Sequence, residues 1–411
     1  MNDSESFVVL GASLAGAKAA EALRDLGFAG ELILIGAENQ LPYERPPLSK
    51  GYLAGKAARG DAFVHPKDWY SDHDVDLRLA TQAVSLDRTA RVLSLADGST
   101  LGYDKLLLAT GSNPRTLTLP GAEARSVHYL RTIDQSEALK ASFGQKSSLV
   151  VIGAGWIGLE VAATAREAGL EVTVIESAEL PLLTVLGPEV AAVFAELHRQ
   201  HGVDLRLGAS LAEILTEDGR ASGVRLADGS TVDADLVLIA IGARPNTELA
   251  EAAGLEVDNG VVVDASLTTS DPNIFAAGDV ANAFHPLFGK HIRVEHWANA
   301  LKQPATAAAA MLGQVASYDE LPYFFTDQFD LGMEYVGYVE PGGYDRVVFR
   351  GNVERREFIA FWLADNRVLA GMNVNVWDVT DSIKQLITSR VIVDPARLAD
   401  SEVPLDEVEP G

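Results

Sequence analysis

The feature that most constrains this chain is an internal repeat. Residues 96–115 read A-D-G-S-T-L-G-Y-D-K-L-L-L-A-T-G-S-N-P-R, and residues 227–246 read A-D-G-S-T-V-D-A-D-L-V-L-I-A-I-G-A-R-P-N. In each, an Asp-Gly dipeptide between strand-like runs signals a hairpin. Asp104 or Asp235 then leads into an apolar strand that closes at Gly111 or Gly242. The repeat extends upstream. Apolar runs at 7–10 and 149–152 enter the loops G-A-S-L-A-G (11–16) and G-A-G-W-I-G (153–158). Ala-rich helices follow, ending at Gly27 and Gly169, and each leads to a second strand, 31–35 or 171–175. One glycine loop is weak evidence. Two in register, each followed by a matched hairpin and strand, predict two strand–loop–helix–strand units of the dinucleotide-binding type. The implied class is α/β, with two Rossmann-like domains.

The physics of such loops assigns their residues. The first glycine allows the tight turn, the second lets backbone approach a pyrophosphate, and the third lets helix pack on strand. Free N–H groups and the helix dipole then favour the phosphates. The second loop is complete, with Gly153, Gly155 and Gly158, and Trp156 and Ile157 between them. Glu176 follows at the end of the next strand, where an acid accepts from the adenosine ribose hydroxyls and repels a 2′-phosphate. No Arg stands beside it to receive that phosphate, so NADH is expected over NADPH. The first loop departs: Ser13 replaces the middle glycine between Gly11 and Gly16, with Leu14 and Ala15 following. The ribose acid is displaced to Glu38, behind Gly36 and Ala37.

Length and composition exclude several other classes. A chain of 411 residues suggests two or three domains, and 47% hydrophobic with 22% charged residues is ordinary for a globular protein. Absence of cysteine removes disulfides, thiolate metal sites and catalytic dithiols. The net charge of −25 opposes nucleic acid and anionic membranes. The first residues are acidic and polar, unlike a secretory leader, and no apolar stretch is long enough to span a bilayer. A cytoplasmic location is the default expectation. The eight histidines form no metal pattern, and His198 and His201, three apart on an expected helix, read as surface residues.

Three further segments carry a family resemblance. They are P-Y-E-R-P-P-L-S-K (42–50), N-I-F-A-A-G-D-V (273–280) and R-V-E-H-W-A-N (293–299). With the two loops and the A-T-G of 109–111, the whole chain resembles the FAD-dependent NADH:ferredoxin reductases of bacterial oxygenase systems, the putidaredoxin-reductase type. The resemblance implies a glutathione-reductase-like fold. Its FAD-binding domain spans 1–112 and 246–320, its NAD-binding domain 113–245, and its C-terminal α/β domain 321–411. After Pro322 the glycine loops vanish and β-type runs appear at 334–339, 346–349 and 358–363.

The resemblance also implies site roles. FAD would be held by Gly11, Ser13, Leu14, Ala15, Gly16, Glu38, Thr110, Gly111, Gly278 and Asp279. Arg45, Lys50, Arg131, Glu295, His296 and Trp297 would lie on the flavin side. NADH would be held by Gly153, Gly155, Trp156, Ile157, Gly158, Glu176 and Gly242. The Pro46-Pro47 pair is expected to hold its segment extended. Lys50 and Glu160 would form an ion pair where nicotinamide meets flavin, with Lys50 stabilising charge on reduced flavin.

The implied reaction takes a hydride from NADH and passes single electrons to a [2Fe–2S] ferredoxin that feeds a P450 or ring-hydroxylating oxygenase. Rubredoxin reductase, monodehydroascorbate reductase and an apoptosis-inducing-factor-like interaction flavoprotein are the rival readings. Phe325 stands in L-P-Y-F-F-T-D-Q (321–328) where the family often has Trp, which puts a Trp-mediated electron route in doubt. Lys50, Lys290, Arg293 and Lys302 are the cations expected to dock an acidic partner. The sequence leaves the oligomeric state open.

Overall fold

The computed structural model describes residues 5–144 and 147–410. The chain divides into two compact units. One holds residues up to Glu44 with Arg59–Asn113 and Arg244–Pro322; the other holds Arg45–Ala58, Pro114–Ala243 and everything from Tyr323 on.

The first unit is built on a five-stranded parallel sheet. Its strand order is Ile274–Ala276, Lys105–Leu108, Ser6–Leu10, Glu31–Ile35, Val75–Arg78. Strands covered on both faces should read as continuous apolar runs. Here Val8, Val9, Ile33, Leu34, Leu106 and Leu107 are all fully buried. Helix Leu14–Asp25 packs on helix Trp297–Met311, and the fully buried Ala17, Ala19, Ala20, Ala307 and Ala308 supply small side chains for that approach. Asp104 accepts from the Ser6 amide at 2.9 Å, which ties the start of one central strand to its neighbour.

The second unit repeats the plan. Its parallel sheet runs Asp204–Leu207, Glu171–Glu176, Ser148–Ile152, Leu236–Ile239, Val127–His128. Asp235 takes the place of Asp104, accepting from the amides of Ser147 at 3.0 Å and Ser148 at 3.2 Å. The repeated Asp is therefore a strand clamp in both halves. The expected Asp-Gly hairpins form, joining Val92–Leu95 to Thr100–Gly102 and Arg220–Leu226 to Thr231–Asp233.

The same unit carries an antiparallel sheet in the order Tyr323–Gln328, Leu331–Gly337, Arg367–Val374, Glu357–Ala364, Arg346–Asn352. Its five strands exceed the three runs expected from sequence. Helix Thr380–Ser389 covers one face through Ile383, Leu386 and Ile387. Gly371 lies beneath it, where a Cβ would sit 2.5 Å from Ile383 Cγ2. Trp362 is buried and donates its indole N–H to the Leu186 carbonyl at 3.0 Å.

One local expectation is corrected. Pro46 to Ser49 is a 3-10 helix rather than an extended segment. Proline suits the first positions of a helical turn, because its fixed φ matches and its missing N–H has no partner to lose there. The Leu48 and Lys50 amides close the turn on the Arg45 and Pro47 carbonyls at 3.0 and 3.1 Å.

Candidate functional site

In the first unit the loop 11–16 forms a tight cradle. Gly11 has φ +124°, and a Cβ there would lie 2.1 Å from the Ala109 carbonyl oxygen. A Cβ on Gly16 would lie 1.9 Å from the Gly11 oxygen, so this glycine is required for helix to close on strand. Helix Leu14–Asp25 has neither an acid in its first turn nor a side-chain cap from Ser13. Its positive end is left for an anion, as a pyrophosphate requires. Glu38 stands half-buried past the second strand, its carboxylate accepting from the Tyr43 hydroxyl at 2.6 Å. Thr110 and Asn246 exchange hydrogen bonds at 3.0 and 2.7 Å beside Gly111.

Asp279 lies in a 3-10 turn, Gly278–Val280, directly after strand Ile274–Ala276 and its successor Ala277. Ser112 donates to its carboxylate at 3.0 Å, and Gln303 accepts from the Gly278 amide at 2.8 Å. Neither Ser112 nor Gln303 stands out in the sequence; only their partners do. Arg293 reaches the Asp279 carbonyl at 3.2 Å and also pairs with Glu295. Trp297 begins its helix with the indole N–H on Glu44 at 3.0 Å. Burial pushes the His296 imidazole down to about 4, with the Asp279 carboxylate acting in the opposite direction.

The second cradle follows the same geometry. Gly153 has φ +100°, with the Ala240 oxygen 2.4 Å from where its Cβ would stand; at Gly158 the Gly153 oxygen would be 2.2 Å away. Around Gly155 there is open space, and the helix Trp156–Glu167 again begins without an acid in its first turn. Glu176 is locked at the loop. One carboxylate oxygen accepts from the Ala154 amide at 2.7 Å, the other from the Ala178 amide at 2.9 Å and the Ser177 hydroxyl at 3.0 Å. Trp156 is anchored against Phe194 and Phe324, whereas Ile157 is exposed. Gly242, at φ +97°, closes the matching downstream strand. Both cradles fit a dinucleotide pyrophosphate on these grounds.

Within the second unit Lys50 and Glu160 meet at 2.8 Å, with side-chain exposures of only 17% and 7%. The 3-10 turn delivers Lys50, and helix Trp156–Glu167 delivers Glu160 from its second turn. Two staples hold the turn: Thr164 donates to the Ser49 carbonyl at 2.9 Å, and Ser136 to the Leu48 carbonyl at 2.8 Å. The Glu160 carboxylate also accepts from the Ser49 hydroxyl at 2.5 Å and the Thr326 hydroxyl at 2.6 Å. The Lys50 ammonium lies 5.6 Å from the centre of the Phe325 ring. Arg45 donates to the Arg131 carbonyl, 86 residues further along the chain. Sequence patterns single out Lys50 and Glu160 but miss Ser49 and Thr326, because a lone hydroxyl has no spacing signature.

One expectation fails here. His198 is not a surface residue: it is fully buried and bonds Gln328 at 2.8 Å, while His201 stacks on Phe329. The helix Leu183–Gln200 turns that face inward, which one His pair cannot reveal. Three of the expected docking cations stand in ion pairs. Lys50 pairs with Glu160, Arg293 with Glu295, and Lys302 with Glu320 at 2.6 Å.

Burial has a pH consequence. It lowers the His198 imidazole from 6.5 to about 4. The folded pKa lies below the unfolded one, so the unfolded chain binds the proton first as pH falls. The stability from neutral His198 is complete above about 6.5 and is lost as pH drops towards 4. Between pH 7 and 5 the expected loss from this group is roughly 2 kcal/mol. Urea midpoints of wild type and His198→Phe at the two pH values test this: the variant should show the smaller fall on acidification.

Two dinucleotide cradles and a shielded Lys–Glu pair define a two-cofactor α/β oxidoreductase. Residues 5–304 match the family described as pyridine nucleotide-disulphide oxidoreductase, and residues 323–408 match the reductase C-terminal family. The chain belongs to the pyridine nucleotide-disulphide oxidoreductase family. As such it is a flavoprotein oxidoreductase using FAD and NAD(H). It is 40% identical to putidaredoxin reductase of Pseudomonas putida over 99% of this chain and 97% of the other. It is 41% identical to the ferredoxin–NAD(+) reductase component of the anthranilate 1,2-dioxygenase system of Burkholderia cepacia, over 98% of each chain. The crystal structure of the covalent putidaredoxin reductase–putidaredoxin complex superposes with a TM-score of 0.94 at 38% identity, covering 99% of this chain and 98% of that one.

Proposed function

We propose that this protein carries electrons from NADH through FAD to a [2Fe–2S] ferredoxin that serves a P450 or ring-hydroxylating oxygenase. The observation that carries the reading is the shielded Lys50–Glu160 pair in a chain with two dinucleotide cradles and no cysteine. Bound flavin supplies the exchange between a two-electron donor and a one-electron acceptor, which nicotinamide cannot make. The protein's part is binding, orientation and electrostatics.

Gly11, Ser13, Leu14, Ala15, Gly16 and Glu38 hold the ADP half of FAD, with Thr110, Gly111, Gly278 and Asp279 completing its site. Arg45, Arg131, Glu295, His296 and Trp297 serve the flavin end. Gly153, Gly155, Trp156, Ile157, Gly158 and Gly242 hold NADH, and Glu176 reads its ribose. Lys50 presents positive charge to the flavin and Glu160 fixes the direction of that charge. The domain limits 1–112 with 246–320, 113–245 and 321–411 belong to the same proposal.

The two Glu176 oxygens already bind backbone amides. A 2′-phosphate would meet that carboxylate. Glu176→Ala should narrow the preference for NADH over NADPH by about tenfold, chiefly through the Michaelis constants. Steady-state kinetics with both nucleotides would show it; an unchanged ratio removes Glu176 from cofactor choice. For the overall proposal, catalytic amounts of the protein with excess NADH should reduce a [2Fe–2S] ferredoxin, seen as loss of its visible absorbance. Dye reduction without reduction of any ferredoxin or rubredoxin would favour an interaction flavoprotein.

A further inference from the structure

Behind the Lys50–Glu160 pair runs a buried chain of hydrogen bonds whose members carry no role assigned from the sequence. Thr326 bonds Glu160 at 2.6 Å, Gln328 reaches Thr326 at 3.3 Å, and His198 bonds Gln328 at 2.8 Å. All three side chains are buried, each exposing 1% or less of its surface. Thr326 and Gln328 share one face of the edge strand Tyr323–Gln328, and His198 comes from the last turn of helix Leu183–Gln200.

The direction of each bond follows from the chemistry. An ionised Glu160 only accepts, so the Thr326 hydroxyl must donate to it. Thr326 then offers a lone pair, and the amide N–H of Gln328 fills it. That leaves the Gln328 carbonyl to accept, so His198 carries its proton on Nε2. The opposite ring nitrogen, Nδ1, is buried with no hydrogen-bond partner among the described residues. A second proton there would be buried unpaired, so the ring stays neutral. Because the chain stops at His198, it does not conduct protons. It is a line of dipoles all aimed at one carboxylate, and such lines strengthen each other.

We infer that Thr326, Gln328 and His198 are positioning residues for the redox site: by drawing off part of the negative charge of Glu160, they leave more of the Lys50 positive charge to act on the flavin. The inference rests on the reading that Lys50 serves the flavin. It also assigns a task to the C-terminal sheet, which supplies two of the three members. Ser49, donating to the other Glu160 oxygen, works in the same sense from the 3-10 turn.

The test uses flavin-loaded protein and two readouts: the flavin midpoint potential and the rate of anaerobic bleaching by NADH. Thr326→Val keeps shape and removes the donor. It should lower the potential and slow bleaching roughly tenfold, the scale of one hydrogen bond to a charged group. Thr326→Ser keeps the hydroxyl and should restore both. Gln328→Leu interrupts the chain one step further away and should shift both readouts in the same direction by a smaller factor. It also serves as the second variant if Thr326→Val does not fold. Wild-type potential and rate in folded, loaded Thr326→Val or Gln328→Leu would overturn the inference. Lys50→Met in parallel separates the two claims. If it too leaves both readouts unchanged, the site reading has failed. If it changes them while the chain variants do not, only the positioning role falls.

Discussion

Glu160→Gln should slow flavin bleaching by NADH about a hundredfold while leaving FAD bound. The effect follows from donors and acceptors. Both Glu160 oxygens accept: one from Lys50 and Thr326, the other from Ser49. A glutamine keeps one acceptor, its carbonyl, and turns its NH₂ either towards Lys50 and Thr326 or towards Ser49. Facing Lys50 it sets a donor against a donor, facing Ser49 it makes that hydroxyl accept, and either way Lys50 loses its counter-charge in a site that exposes only 17% of it. Removing one partner of a shielded pair costs about 3 kcal/mol or more. Stability should therefore fall together with the rate. Lys50→Met should also slow bleaching, but for a different reason: the positive charge itself is gone. Stopped-flow absorbance at the flavin band gives both rates. Wild-type rates in both variants would remove the pair from the reaction.

The second large effect is expected at the two first glycines of the loops, and it should separate the two cofactors. Gly11 and Gly153 have φ of +124° and +100°, and their added Cβ atoms would stand 2.1 and 2.4 Å from carbonyl oxygens. Those oxygens belong to Ala109 and Ala240, each just past the strand that pairs with the loop's own strand. Backbone on both sides prevents an easy retreat, so alanine should cost roughly 3 kcal/mol or more at either site. Gly11→Ala should be isolated largely without flavin. Gly153→Ala should stay yellow but lose saturable reduction by NADH. Flavin content by absorbance and NADH titration of the bleaching rate distinguish them. Loss of flavin from Gly153→Ala alone would contradict the assignment of the two loops.

Much of this architecture is legible because the chain states it twice. The strand–loop–helix–strand units read from 7–35 and 149–175 appear as strands Ser6–Leu10 and Ser148–Ile152, with helices Leu14–Asp25 and Trp156–Glu167 behind them. Buried parallel strands leave long apolar runs, and φ-positive glycines punctuate them, so both signals survive in one sequence. The C-terminal sheet is less legible. Tyr323–Gln328 mixes Thr, Asp and Gln with aromatics, because one face of it carries the polar chain behind Glu160. The 3-10 turn at Pro46 is missed because proline permits extended and helical backbone alike; the Thr164 and Ser136 hydroxyls that staple it lie far off in sequence. His198 is missed for a related reason. A single imidazole shows its surroundings only when its partner, Gln328, comes from 130 residues away.

The same lesson applies to the partner surface. A chain of net charge −25 that meets an acidic protein needs local positive charge, and the sequence offers cations beside its flavin segments. The fold uses Lys50, Arg293 and Lys302 in ion pairs. Exposed pairs such as Lys302–Glu320 add little stability and can re-form with a partner. Lys302→Glu should therefore slow ferredoxin reduction several-fold at low salt, with the difference fading at high salt. Reduction of a small neutral dye should not change, and equal loss of both would remove Lys302 from docking.

In the function proposed above, NADH is chosen over NADPH and reduces the bound flavin. The direct measurement is an anaerobic titration of the flavin-loaded protein, followed at the flavin band, with each nucleotide in turn. Rapid and complete bleaching by about one equivalent of NADH is expected, and much slower bleaching by NADPH. Equal rates with the two nucleotides, or a long-lived coloured complex with NADH and no bleaching, would contradict it.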